Sequence, residues 1–122
     1  VLSEGEPYRL VPDVEIGLYR IMQEALQNVS AHAHARQAEA AIRFSREVIT
    51  LTIGDDGDGF DLATVQRDPQ GHFGLLGMQE RAGSLGGRLA IQTGIGQGTR
   101  VTVSVPVYPV SAPLLESLAI AK

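Results

Sequence analysis

Gly54-Asp55-Asp56-Gly57-Asp58-Gly59-Phe60-Asp61 sets four carboxylates among three glycines, directly after the β-type run 48–53. Neither a helix nor an ordinary strand continues through such a composition. A calcium loop needs acidic residues at alternating positions and a closing Glu. Asp56 and Asp58 begin that alternation, but Phe60 breaks it and Arg67 stands at the closing position. A dinucleotide fingerprint needs a third glycine opening a helix, which Gly57-Asp58-Gly59 lacks. Two readings remain. One is a purine site, where a buried carboxylate accepts a hydrogen bond from an exocyclic amine and glycines admit the ring to the backbone. The other is a plain acidic turn.

Upstream, Glu24, Asn28 and His32 recur every four residues along a helical pattern, at the margin of its apolar arc. Glu and Asn side-chain oxygens suit Mg²⁺, a hard cation that keeps several waters. The same row also suits a solvated helix edge. Downstream, Gly71-His72-Phe73-Gly74-Leu75 precedes a second helical pattern. Backbone N–H groups at a helix start attract phosphate, and glycines let the chain lie close to it; many ordinary helices also begin after a glycine. No Walker-type glycine–lysine motif occurs, which excludes a P-loop. Gly96-Gln97-Gly98-Thr99 has the composition of a hairpin turn. His32 and His34, two apart on a helix, face different ways and do not chelate one metal together. Gly83-Ser84-Leu85 is not a nucleophile elbow, and no serine–histidine–aspartate set follows from the spacing.

The elements that must hold these residues follow from periodicity. Asp13 is placed to cap a helix running to about Ala33, with Leu18, Tyr19, Ile21, Met22, Ala25, Leu26 and Val29 in one arc about 160° wide. Residues 38–44 and 48–53 alternate as two strands, with Arg46-Glu47 as the turn of a hairpin. Residues 54–74 lack periodicity and read as a functional loop. Leu75, Met78, Ala82 and Leu85 return to helical spacing, which Gly86-Gly87 ends. Strands at 88–93 and 99–107 follow, joined by a turn at 94–98. Residues 1–12, with Gly5, Pro7 and Pro12, read as a lead-in with a short strand around 8–11. From Tyr108 onward, Pro109 and Pro113 mark a tail over 108–122. This order predicts an α+β two-layer sandwich, with helices on one face of a mixed, mostly antiparallel sheet.

At 122 residues, 43% hydrophobic and 20% charged, the chain reads as one globular domain. The absence of cysteine excludes disulfides and thiolate metal sites and permits a reducing compartment. A net charge of −4 gives no support to a nucleic-acid partner. No apolar run reaches the length of a membrane span, and no signal peptide opens the chain. The first residue is Val1, as expected of a piece of a longer protein.

In order, Glu24-x-x-x-Asn28, Asp55-x-Gly57-x-Gly59, Gly71-x-x-Gly74-Leu75 and Gly96-x-Gly98-Thr99 resemble the motifs of the GHKL ATPases. That superfamily includes gyrase, the heat-shock chaperones, mismatch-repair MutL and the sensor histidine kinases. Residues 19–29 and 73–82 resemble the NarL-partner and DesK-like branch of the kinases. The likeness covers roughly residues 8–107. It implies a Bergerat fold, ATP and Mg²⁺ as ligands, and transfer of the γ-phosphoryl group to a histidine. Asn28 is then implied to hold Mg²⁺ between the phosphates. Glu24 beside it polarises a metal-bound water or the incoming nucleophile, so the two form the catalytic and metal pair. Asp55 accepts from the adenine amino group, Gly57 and Gly59 provide the slot for the base, and Thr99 supports Asp55. Gly71, His72, Gly74 and Leu75 belong to a phosphate-facing lid, and His32 to the nucleotide motif. Asp56 and Asp58 are expected to be solvated neighbours.

Two departures stand out. Ala31 occupies a position where this branch usually carries Lys or Arg, and the segment 60–71 is short, as in this branch's small lids. None of His32, His34 and His72 has the H-[DE]-x-x-Q context of a phosphoacceptor. The resemblance therefore implies an upstream dimerisation domain of the same protein that carries that histidine, and a NarL-like response-regulator receiver domain as the next acceptor. It also implies a monomeric fragment of a homodimeric parent, and a cytoplasmic location, with a membrane-anchored sensor as one form of that parent. Two alternatives share the fold: a nucleotide-dependent interaction module that transfers nothing, and a serine kinase of the anti-sigma-factor type.

Overall fold

Two hydrophobic alternations and two helical arcs close on each other across one sheet. The computed structural model describes residues 2–30, 34–66 and 74–107. The elements run β1 (Leu2–Glu4), α1 (Pro12–Asn28), β2 (Ala38–Phe44), β3 (Val48–Asp55), α2 (Leu62–Gln66), α3 (Leu75–Ser84), β4 (Arg88–Thr93) and β5 (Thr99–Pro106). The strands form one sheet in the order β1-β2-β3-β5-β4. β1 runs parallel to β2, and all other neighbours are antiparallel. This is the α+β, mostly antiparallel arrangement expected from the order of elements.

The register explains which face is covered. Ile49, Leu51 and Ile53 on β3 lie opposite Val105, Val103 and Val101 on β5, and all six are buried. Against them pack Leu18, Ile21 and Ala25 of α1 and Leu75, Met78 and Ala82 of α3. Each fully buried aliphatic side chain of this size contributes about 1.5–3 kcal/mol. Gly17 lets α1 come close to Leu85: a Cβ there would lie 2.7 Å from that side chain. The even residues of β3, Thr50, Thr52 and Gly54, face the other side and remain half-buried. No helix among the described residues is long and apolar enough to cross a membrane.

Several expectations need correction. The first strand is Leu2–Glu4, not 8–11. Gly5, at φ 80, turns the chain off the sheet, and Pro7 lacks the N–H a ladder needs. Tyr8 instead stands edge-on to Phe44 at 5.1 Å and donates its hydroxyl to Ser45 O at 2.6 Å. α1 starts at Pro12, whose fixed φ suits the first helical position. Asp13 is therefore inside the first turn, where a carboxylate meets the positive end of the helix, and is not the cap. The regular helix ends at Asn28 and the turn widens at Val29 and Ser30, residues that favour helix interiors weakly; the rest of the span expected to reach Ala33 lies outside the described residues. Tyr19, placed in the apolar arc by its spacing, is 55% exposed. The stretch 54–74 is not all loop. Gly54 and Asp55 complete β3, and Asp61 caps α2 by accepting from Ala63 N at 3.1 Å and Thr64 Oγ1 at 3.0 Å.

Candidate functional site

The alternation that builds the core runs past it. Two residues beyond Ile53 on the same face stands Asp55, the last residue of β3. The ladder sets it opposite Ala38 on β2 and Thr99 on β5, and Thr99 in turn opposite Thr93 on β4. The helix-covered face therefore ends in a row of short, mostly polar side chains. There a cleft, partly open to solvent, lies between α1, the start of α3 and the sheet. Ala25, Val29, Ile53, Phe60, Leu75 and Val101 supply its apolar wall, and Asn28, Asp55 and Thr99 its polar groups. A mostly apolar slot with few polar anchors is the usual form of a small-molecule site.

Asp55 is held in one orientation. Its Oδ1 accepts from Gly57 N at 2.8 Å, and among the described residues its Oδ2 has no hydrogen-bond partner. Gly57 itself is buried. Gly59 has φ 65, and a Cβ there would collide with Gly94 O in the β4–β5 turn. Only glycine fits, because the acidic loop lies directly on that turn. The hydroxyls of Thr93 and Thr99 are linked at 2.9 Å. Thr93 Oγ1 accepts from Phe60 N at 3.1 Å and donates to Gly98 O at 3.1 Å. With its proton committed to Gly98, Thr93 receives that of Thr99, and the Thr99 oxygen keeps acceptor capacity at the cleft.

The sequence-predicted residues fall into three groups. Asn28, Asp55, Gly59, Leu75 and Thr99 all line the cleft. Glu24 lies one helical turn before Asn28, half-buried, and packs on Gly74 at the start of α3. A Cβ on Gly74 would collide with the Glu24 carboxylate, and Gly74 has φ 60. Gly57 holds Asp55 from behind rather than lining the cleft. His32, Gly71 and His72 lie outside the described residues, as do Ala31 and the 108–122 tail. Among the described residues no three His, Asp or Glu side chains cluster as a metal cage. The oxygen donors of Glu24 and Asn28 fit Mg²⁺, which takes one or two protein ligands and fills its shell with water and phosphate.

Thr93, Phe60 and Asp56 were not picked out by sequence reasoning. Thr93 could have been found by counting register outward from the 94–98 turn. Asp56 is more than a solvated neighbour. Asp56 Oδ1 accepts from Arg36 N at 2.8 Å and Gln37 N at 2.9 Å. The Gln37 N–H, chiefly, with Arg36 N–H and the Arg36 charge, holds the Asp56 carboxyl below the usual carboxylate range, against a smaller opposing effect of burial. Asp58 Oδ2 meets His34 Nδ1 at 2.8 Å, with the two side chains 68% and 80% exposed. Such an exposed contact is worth little.

Residues 13–109 match the family described as histidine kinase-, DNA gyrase B-, and HSP90-like ATPases. The chain belongs to that family. It is an ATP-binding catalytic domain of the histidine-kinase type. It is 36% identical over 106 residues to the signal transduction histidine-protein kinase/phosphatase DegS of Bacillus subtilis, and 40% identical over 103 residues to DegS of Brevibacillus brevis. Those alignments cover 87% and 84% of this chain but only 28% and 26% of the relatives, so the chain spans about a quarter of their length. Among solved structures, the ATP binding domain of PrrB from Mycobacterium tuberculosis matches with TM-score 0.64 at 22% identity, over 90% of this chain and 82% of that one. The histidine kinase domain of a blue-light activated kinase from Erythrobacter litoralis matches with TM-score 0.67 at 22% identity, over 85% of this chain and 52% of that one. At such identities the structures establish the Bergerat-type fold.

Proposed function

We propose that this domain binds Mg-ATP in the cleft beside Asp55 and presents the γ-phosphoryl group to a histidine on an upstream dimerisation domain of the same protein. The observation that carries this reading is Asp55, one oxygen held by Gly57 N–H and the other available at the end of an apolar slot. A carboxylate so fixed accepts a hydrogen bond from the adenine amino group. Ile53, Phe60, Leu75 and Val101 exclude water from the ring faces, and the Thr99 oxygen adds an acceptor, directly or through water. Asn28, on the α1 side of the cleft, holds the metal with its side-chain oxygen. Glu24, one turn earlier and against Gly74, orients the incoming imidazole. Bound Mg²⁺ supplies charge neutralisation on the phosphates, and the rest of the catalysis is positioning. The relatives named DegS are histidine-protein kinase/phosphatases, which agrees with transfer to a histidine; the onward acceptor in this reading is a NarL-like receiver domain.

Calorimetric titration of Mg-ATP into the chain, followed by radiolabelled ATP, tests this. Saturable 1:1 binding is expected, with no label on this chain alone and label on a supplied upstream domain. Absence of saturable binding, or stoichiometric histidine labelling of this chain by itself, overturns the reading.

A further inference from the structure

We propose that Asp56 is a positioning residue for adenine selection, anchoring the peptide turn whose Gly57 N–H orients Asp55. The proposal rests on the reading of Asp55 as the adenine-facing group.

Three hydrogen bonds join Asp56 to a single dipeptide. Its Oδ1 accepts from the adjacent N–H groups of Arg36 and Gln37 at 2.8 and 2.9 Å, and its own N–H donates to Gln37 O at 3.3 Å. Ala38 and Asp55 form the last pair of the β2–β3 ladder. Asp56 thus extends that ladder by one bond and closes it with its side chain. An ionised acceptor shared by two N–H groups is among the stronger hydrogen-bonded arrangements. On the opposite side, Gly98 packs so closely that an added Cβ would collide with Asp55 O and lie 3.3 Å from Asp56 Cα. The turn is confined between the segment entering β2 and the β4–β5 hairpin.

The consequence falls on the next peptide. The direction of the Gly57 N–H is set by the backbone angles of Asp56, the residue so held. That N–H is the donor that fixes Asp55 Oδ1. Without the Asp56 carboxylate the peptide can rotate, and Asp55 loses the restraint that aims its second oxygen into the cleft. The depressed titration of the Asp56 carboxyl agrees with its being an engaged acceptor. Asp58 makes one exposed contact with His34 and holds no peptide of the turn.

The test compares dissociation constants for Mg-ATP and Mg-GTP. Guanine carries a carbonyl acceptor where adenine carries the amine donor, so an aimed carboxylate prefers ATP. Wild type and Asp58→Asn are expected to share one GTP/ATP ratio. Asp56→Asn keeps an amide oxygen for both N–H groups and is expected to stay within about twofold of it, whereas Asp56→Ala is expected to lower it roughly tenfold. A merely structural role reduces both affinities by the same folded fraction and leaves the ratio alone. A folded Asp56→Ala with the wild-type ratio overturns the proposal. If that variant does not fold, Asp56→Glu, which keeps the charge on a longer arm, decides: a lowered ratio supports the proposal and an unchanged one overturns it. Failure of wild type to prefer ATP instead removes the reading of Asp55, and wild type alone reveals that outcome.

Discussion

Asp55→Asn separates the two jobs of one carboxylate. In the wild type Oδ1 accepts from Gly57 N, and in the proposed function Oδ2 meets the ligand. An asparagine has one oxygen and one NH₂. If the NH₂ faced Gly57 it would set donor against donor, so the oxygen stays with Gly57 and the NH₂ turns to the cleft. The adenine amine then meets a donor where it had a charged acceptor. A hydrogen bond to a charged group is worth about 1.5–3 kcal/mol, which weakens Mg-ATP roughly 10- to 150-fold. The internal bond survives, so the melting temperature is expected to stay within about 4 °C of wild type. The new NH₂ suits a carbonyl, so GTP is expected to gain on ATP. Calorimetric titration with both nucleotides, alongside a thermal melt, measures all three quantities. Unchanged ATP affinity refutes the adenine assignment. A large drop in melting temperature refutes the argument that Gly57 fixes the amide orientation.

Four further outcomes follow from the same geometry. Asn28→Ala is expected to bind ATP equally with Mg²⁺ and with chelator, while wild type binds better with Mg²⁺; an undiminished Mg²⁺ effect in the variant would sink the metal assignment. Gly59→Ala forces a Cβ onto Gly94 O at φ 65 and is expected to cost about 2 kcal/mol or more in denaturant unfolding. Thr93→Val keeps the shape of the side chain but removes the hydroxyl that joins Phe60, Gly98 and Thr99; a loss of about 1–3 kcal/mol is expected by the same assay. The Asp56 carboxyl titrates lower in the folded chain than in the unfolded one. Its stabilisation is therefore complete above the ordinary carboxylate range and is lost as pH falls through its folded value. Melting temperatures of wild type should fall more steeply below about pH 4 than those of Asp56→Asn, and parallel curves would count against a stabilising role for the Asp56 hydrogen bonds to Arg36 and Gln37.

What could be read from the sequence divides by range. β2, β4, β5 and α3 were legible because a period of two or of 3.6 with a glycine stop is local information. β1 was not: Leu2, Ser3 and Glu4 are all exposed and carry no pattern, and their parallel pairing with β2 is made across the whole of α1. Tyr19 was misplaced because spacing says which side chains share an arc, not where the neighbouring layer ends. Asp55 was picked out as part of an unusual composition, yet its position follows from plainer reasoning. It is the fourth member of the series Ile49, Leu51, Ile53, Asp55, and it carries on the core face to the cleft between the helices and the sheet. A carboxylate there is enclosed by apolar side chains and still reachable from outside. The contacts of Asp56 with Arg36 and Gln37 join positions 19 and 20 residues apart, which no local pattern encodes. The acidic glycine loop therefore combines two kinds of aspartate. Asp55 reaches the cleft because the strand ends there, and Asp56 is spent on the chain's own amides at that end. Glycine is required at Gly59 and Gly98 because the acidic loop and the β4–β5 turn meet backbone to backbone there, and that close approach leaves the turn beside Asp55 little room to move.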